Sequence, residues 1–431
     1  MTAYLGPDAI LEKKKNYIMP CLGHFYERPP QFVKGFMQYL FDSTGKKYLD
    51  CFAGVSVMNC GHANPDITRR ICQQVETLQH VCNIYLTENF VQLAERLATV
   101  TPGKLQKSFF CSTGSEANEG AMLLATIYTQ RSEFLALTGG LHGRTKLGMS
   151  VTGIGMWRTD PNPVGGIHFV PHPYCYRCPL EKKHPDCDLA CADQVETVIK
   201  TATSGRLAAL IAEPIQGNAG IVTPPPGYFI RLKEILDAHQ ALLIIDEVQT
   251  GFARTGKMFA IEHYGVTPDI MTMAKALGNG VPISAFIATA DIADRYTQPG
   301  ASTLGGNPVS STAALAVLDY IERHHLRENA AARGAQLADG LKDLQRRHPI
   351  LGDIRGLGLM RGAEFVHADG SPAPAALDAA LEKLKDRGIL VGKNGLARNV
   401  MAFQPPLVIT AADVDHLLNQ LEDVLKELQD L

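Results

Sequence analysis

The chain has 431 residues, 45% hydrophobic and 20% charged, which is enough apolar material for a sizeable core and excludes intrinsic disorder. Lys and Arg number 41 against 44 Asp and Glu, a net charge of −3, so a dedicated nucleic-acid binder or a basic membrane-surface protein is not expected. No apolar run approaches the ~18 residues of a membrane span. The start, Met1-Thr-Ala-Tyr-Leu-Gly-Pro7, lacks the form of a secretory signal, and a cytoplasmic protein is expected.

In chain order, Met37–Phe41 and Lys47–Asp50 flank a Ser-Thr-Gly turn and read as two short strands. Lys107–Cys111 is a strand followed by a Gly-Ser turn and a helix from Glu116 to about Gln130. Leu207–Ala212 precedes Glu213-Pro214, and Ala241–Ile245 precedes Asp246-Glu247. Short apolar runs alternating with helices predict buried parallel strands of an α/β domain. Ser310 to about Glu322 reads as a helix leaving that domain, and Gly356, Gly358 and Gly362 punctuate a later strand region. Val414, Leu417, Leu418, Leu421, Val424, Leu425 and Leu428 keep helical spacing to the end. The expected organisation is a large domain over 61–310 and a smaller α/β domain over 311–431, which the first 60 residues join.

Four of the ten cysteines crowd together as Cys175-x2-Cys178-x8-Cys187-x3-Cys191. Two short pairs resemble halves of a thiolate metal site, but the spacer is shorter than the usual ~12–20 residues. A surface loop carrying free thiols is the expected reading, with no metal.

Three features fall where a parallel sheet presents its ligands, just past the carboxyl ends of strands. Ser112-Thr-Gly-Ser115 opens a helix whose free N–H groups could cradle an anion, although such a turn can also be only a turn. Asp246 ends an apolar run, so its carboxylate needs a cation or donor partner; the alternative is a helix cap. Lys275 lies in the apolar, small-residue stretch Asp269–Gly278. A desolvated lysine there is an amine nucleophile able to form a Schiff base; read alone, a snorkelling surface lysine explains it as well. Together, a phosphate cradle, an acid for a ring nitrogen and a Schiff-base lysine are what pyridoxal 5'-phosphate requires. Gly251-x4-Gly256-Lys257 nearly spells a nucleotide loop, but Met258 stands where Mg²⁺ needs Ser or Thr.

With these residues in view, the chain resembles the class-III (ω-type) pyridoxal-phosphate-dependent aminotransferases of fold type I, and among them the alanine–glyoxylate-like branch. The likeness runs from about Gly35 to the C-terminus. It rests on Ser112-Thr-Gly-Ser-Glu-Ala-Asn118, His142-Gly-Arg-Thr145, Glu213-Pro-Ile-Gln-Gly217, Asp246-Glu-Val-Gln-Thr-Gly251, Ala274-Lys-Ala276 and Thr303-Leu-Gly-Gly-Asn-Pro308. The resemblance implies that Lys275 forms the Schiff base and shuttles the proton, and that Asp246 pairs with the ring nitrogen. It implies further that Gln249 touches the ring hydroxyl, that Gly114 and Ser115 hold the phosphate, and that Leu141, His142 and Glu213 stand beside the cofactor. Thr303 would reach the phosphate of the other subunit, which implies a homodimer and leaves room for a tetramer. Arg144 is expected to be hydrogen-bonded scaffold.

Two departures bear on chemistry. Leu141 replaces the aromatic residue the family usually stacks on the ring. Ala402 stands where α-amino-acid members usually carry an Arg for the substrate carboxylate, while Arg398 lies four residues upstream in a glycine-containing loop. The expected reaction is therefore transfer of an amino group from an amine or ω-amino acid to a small 2-oxo acid such as pyruvate, with Arg398 as the substrate-binding cation. The alternative is an ammonia- or phospho-lyase acting on an amino-phosphate or hydroxy-aminophosphonate, which needs no carboxylate Arg. A non-catalytic, metal-stabilised partner protein built on the cysteines is remote.

Overall fold

The computed structural model describes residues 4–429. Helix α1 (Pro7–Tyr17) buries none of its side chains. An antiparallel meander follows: β1 (Phe32–Phe36), β2 (Tyr39–Asp42) and β3 (Lys47–Asp50). Asp42 closes the β2–β3 turn by accepting the N–H groups of Thr44 and Lys46. The one-turn α2 (Ala53–Ser56) and the amphipathic α3 (Pro65–Thr77) and α4 (Glu88–Val100) lead on to the central sheet.

That sheet comprises β4 (Leu105–Cys111), β5 (Glu133–Leu137), β6 (Ile167–Val170), β7 (Leu207–Ala212), β8 (Leu242–Asp246), β9 (Ile270–Met273) and β10 (Ser284–Thr289). Its connections carry α5 (Gly114–Thr129), α6 (Lys146–Ser150), α7 (Ala190–Ala202) and α8 (Tyr228–Ala238), and the short α9 (Ala290–Ala293) follows β10. Across the sheet the order is β4-β10-β9-β8-β7-β5-β6. The five strands from β9 to β6 are parallel, and every residue of β7 and β8 is buried. This is why both read as unbroken apolar runs: helices cover both faces of such strands.

One expectation needs correcting. Lys107–Cys111 does not pair as a buried parallel strand: β4 lies at the sheet edge and bonds only to the antiparallel β10. The cause is the link from β9 to β10. Residues 274–283 hold only a short 3₁₀ turn, too little chain for the crossover a parallel neighbour requires. Strand β10 therefore folds straight back and fills the place beside β4.

The rest of the chain forms α10 (Pro308–Arg323), α11 (Leu326–Arg347), β11 (Leu351–Leu357), β12 (Met360–Phe365), α12 (Pro374–Asp386), β13 (Ile389–Leu390), β14 (Gly392–Asn394), β15 (Val400–Phe403) and α13 (Ala411–Gln429). Gly358, at φ +51°, makes the β11–β12 turn against the Thr255 backbone, where a Cβ would stand 2.4 Å from a carbonyl carbon. A second sheet runs β11-β12-β15-β14. A third joins the meander to β13, which lies parallel to β3.

One side chain ties these regions together. Arg254 is fully buried and donates to the Leu359 and Pro405 carbonyls and to Asn59 Oδ1. No carboxylate bonds it among the described residues, and burial pulls its pKa down to about 9. Within the described residues no helix is long and apolar enough to cross a membrane.

Candidate active site

Since β4 points the same way as the parallel strands, five strand ends open on one edge of the sheet. Ser112–Ser115 follow β4, Leu141 and His142 follow β5, Glu213 follows β7, Asp246 ends β8, and Lys275 follows β9. These residues, with Gln249, line one cleft of about 360 Å³, within the usual range for a small-molecule site.

At the anion end, Thr113 caps α5 and Glu116 closes the box by accepting the Ser112 and Thr113 N–H groups. The next two N–H groups, of Gly114 and Ser115, have no acceptor among the described residues and face the cleft at the positive end of a 16-residue helix. Such an end holds a phosphate through backbone donors and the helix dipole. Ser115 Oγ is occupied, accepting the Arg144 N–H at 3.0 Å.

Asp246 is 3% exposed. Its Oδ2 accepts from Asn118 Nδ2 and pairs with His142 Nδ1, each at 2.8 Å, and its Oδ1 accepts the Val248 N–H at 3.0 Å. Thr272 Oγ1 donates to Asn118 Oδ1 at 2.6 Å, and Asn118 also donates to the His142 carbonyl. The carboxylate is therefore held by an amide, an imidazole and a backbone N–H, with no Lys or Arg bonded to it among the described residues. His142 Nε2 is buried with no partner among the described residues. An Nδ1–H aimed at Asp246 leaves Nε2 as an acceptor.

Lys275 has φ +45°, a conformation that costs an L-residue energy and collects at functional sites. Its surface opens only partly, toward the cleft, and burial pulls its amine below the ordinary lysine range, an effect that Asp246 and Glu213 oppose. Glu213 accepts the Leu141 and Gly217 N–H groups at 2.9 and 3.0 Å, and burial pushes its carboxyl up to about 7. Gln249 packs so closely on Gly217 that a Cβ there would stand 1.8 Å from its Oε1.

The remaining expectations fare differently. Arg144 is exposed, lines the cleft and makes no side-chain hydrogen bond or ion pair among the described residues; only its backbone is scaffold. Thr303 is exposed in the turn before α10, outside the cleft of this chain. Arg398 also lies outside it: half-buried, at φ +58°, its guanidinium stands 5.6 Å from the Phe25 ring centre. Its loop is nevertheless tied to the cleft wall, because the Gly395 N–H donates to the carbonyl of Asn218, a lining residue. Ala402 is fully buried and packs with Ile215, Ile221 and Met360. Asn118, Thr272 and Val248 had not been singled out. The signal for Asn118 was its place four residues after Gly114, one helical turn along the same face. Among the described residues no three His, Cys, Asp or Glu side chains are arranged to hold a metal ion.

The neighbouring Glu247 yields a pH prediction. It is fully buried, accepts from Thr250 Oγ1 and the Ile261 N–H, and burial pushes its carboxyl up to about 7. The folded chain then binds this proton more tightly than the unfolded chain, whose Glu titrates near about 4.3. The resulting stability is full below the unfolded value and is lost as pH rises through about 7. The Tm of wild type minus that of Glu247→Gln should fall across this window in thermal melts. A difference independent of pH would overturn the assignment.

Known proteins resemble this chain along nearly its whole length. Residues 29–425 match the family described as aminotransferase class-III. The chain is 39% identical over 424 residues to an alanine–glyoxylate aminotransferase 2 homologue of Arabidopsis thaliana described as mitochondrial, covering 97% of this chain and 88% of that one. It is 38% identical to a leucine/methionine racemase of Thermococcus litoralis, covering 98% and 96%. An amine transaminase from an uncultivated Pseudomonas species, solved in its pyridoxal-phosphate-bound form, superposes with a TM-score of 0.89 at 31% identity, covering 96% and 98%. The free N–H pair on α5, the caged Asp246 and the desolvated Lys275 are the groups that cofactor needs, and the chain belongs to the pyridoxal-phosphate-dependent class-III aminotransferases.

Proposed function

We propose that the enzyme moves an amino group from an amine or ω-amino acid to a small 2-oxo acid such as pyruvate. The observation that carries the choice of donor is the apolar packing of Ala402 against Ile215, Ile221 and Met360. A carboxylate on the reacting carbon would meet no fixed guanidinium at that position and would be costly to desolvate. Donors without that carboxylate are preferred.

When bound, pyridoxal phosphate supplies a carbonyl that captures the amino group and a ring that accepts electrons. Gly114 and Ser115 would hold its phosphate through their N–H groups, Asp246 would keep the ring nitrogen protonated, and Gln249 would meet the ring hydroxyl. Leu141 would offer the ring an aliphatic contact in place of stacking, and His142 and Glu213 hold Asp246 and the Leu141 backbone in position. Lys275 Nζ would hold the cofactor's carbonyl carbon, and its amine would serve as the base that takes the proton from the donor's reacting carbon. The lowered amine pKa of Lys275 suits it to act as that base. Arg398, which has no ion-pair partner among the described residues, swings from Phe25 to bind the carboxylate of the oxo acid, and Arg144 offers a second cation at the cleft.

Thr303 completes the cofactor site of a second copy, which makes the enzyme a homodimer or a pair of dimers. The pairing of β3 with β13 supports a small domain made from both chain ends, beside a large cofactor-binding domain. Ten free thiols support a reducing, cytoplasmic setting.

The function is tested by a panel of amines with and without pyruvate. Alanine should form only when both are present. Ammonia released over many turnovers from an amino-phosphate without an oxo acid would make the enzyme a lyase, for which Ala402 is equally suited. Inversion of a free amino acid without an oxo acid would align it with the Thermococcus relative.

Three variants follow. Asp246→Asn should leave the fold intact and lower kcat about 100-fold, the loss of roughly 3 kcal/mol of electrostatic stabilisation; a fall below about tenfold would remove Asp246 from the ring. Arg398→Ala should raise KM for pyruvate about tenfold while leaving that for an uncharged amine within about twofold. Equal damage to both half-reactions would make Arg398 structural. Thr303→Ala should weaken cofactor binding by about tenfold or more, one hydrogen bond to a charged group, and an active, cofactor-loaded monomer in sedimentation would end the shared-site reading.

A further inference from the structure

We propose that Cys175, Cys178, Cys187 and Cys191 form a four-thiolate site for one structural zinc ion, remote from the reaction and independent of its chemistry. All four line a single small cavity between the end of β6 and the start of α7. The open space inside is about 20 Å³, room for one water-sized guest and for no organic ligand. Thiolates are the soft ligands that zinc selects in tetrahedral sites.

The local fold removes the objection raised by the short spacer. Residues 179–186 do not run straight. The Glu181 N–H returns to the Cys178 carbonyl and the Cys187 N–H to that of Lys183, with left-handed residues at Glu181, Asp188 and Leu189. These turns carry Cys187 back beside the first pair, as a longer spacer would. Cys191 sits in the first turn of the 13-residue α7, which begins without a side-chain cap. Lys182 lines the same cavity and supplies positive charge beside a site that would carry excess negative charge. The four sulfurs do not converge on one point as they stand; three of the four cysteines lie in a connection, residues 171–189, that contains neither strand nor helix, and the ion would have to draw them together. Connections of that length are uncommon unless something holds them.

The loop also has a reason to be held. Tyr174 and Arg177 both donate to Glu364. Glu364 pairs with the buried Arg355, which donates to the Gly220 carbonyl at 2.7 Å, two residues from Asn218 in the active-site wall. An ion in the cysteine cavity would fix the far end of this chain of contacts.

The test uses full-length, cofactor-loaded protein prepared under reducing conditions and exposed to Zn²⁺ alone, then desalted. Elemental analysis should find about one zinc per chain, with four thiols protected from alkylation. Co²⁺ in its place should give the visible bands of a tetrahedral thiolate site. Cys178→Ser and Cys187→Ser should each cut retained metal at least tenfold, while Cys72→Ser, an exposed thiol on α3, should keep it. Should the variants fail to fold, stripping wild type with a chelator and restoring Zn²⁺ reads the same site: the Tm should fall and then recover. Less than a tenth of an equivalent of metal on wild type would overturn the proposal. So would full retention in the two cluster variants, or a disulfide among the four cysteines in reduced, Zn²⁺-treated protein.

Discussion

The active site depends on a carboxylate placed where a carboxylate is costly. Asp246 ends the fully buried β8 and has given up water for an amide, an imidazole and a backbone N–H. These dipoles hold it in place but do not neutralise it, so it remains able to stabilise a positive charge brought to it. Much of the surrounding architecture serves that arrangement. Helix α5 contributes Asn118 as well as the anion cradle, β9 contributes Thr272 to orient Asn118, and the turn after β5 contributes His142. A single helix thus sets the distance between the anion cradle and the Asp246 carboxylate, since Gly114 and Asn118 are one turn apart on it.

What the sequence made legible was local. Strands β7 and β8 announced themselves because burial on both faces leaves no polar residue in the run, and Asp246 and Lys275 stood out as charges closing or interrupting such runs. The pairing of β4 was not legible in its own residues, because its direction is decided by a distant connection, the segment from 274 to 283, which is too short for a parallel crossover and turns β10 back beside it. Arg144 was taken for scaffold since a side chain's partner, or lack of one, is settled only when distant segments pack. The roles proposed for Arg398 and Thr303 turn on matters that one chain's sequence does not encode: the rotamer of a loop residue and whether a second copy approaches.

Beyond the cleft, charge is again buried in neutral or tightly paired company. Arg254 satisfies two carbonyls and an amide from three parts of the chain, and Glu364 gathers Tyr174, Arg177, Arg355 and Asn399. Such groups contribute less to net stability than apolar residues of the same volume would, but removing one partner leaves the others uncompensated. Their effect is to fix how separate segments meet, which matters in a fold whose cleft is built from β4 to β10 and from the wall near Asn218.

The reversal between β9 and β10 has a mechanical consequence. Lys275 lies two residues after Met273, which is paired with Ala285 of the returning strand, and four before Asn279, which bonds the Cys60 N–H and the Gly61 carbonyl. The backbone on both sides of the lysine is thus anchored within a few residues, with the lysine itself in a left-handed conformation. Travel of the amine must therefore come from rotation about the four-carbon stem, while the root stays still. With a cofactor bound, the amine could sweep an arc across the cleft while the protein around it stayed still.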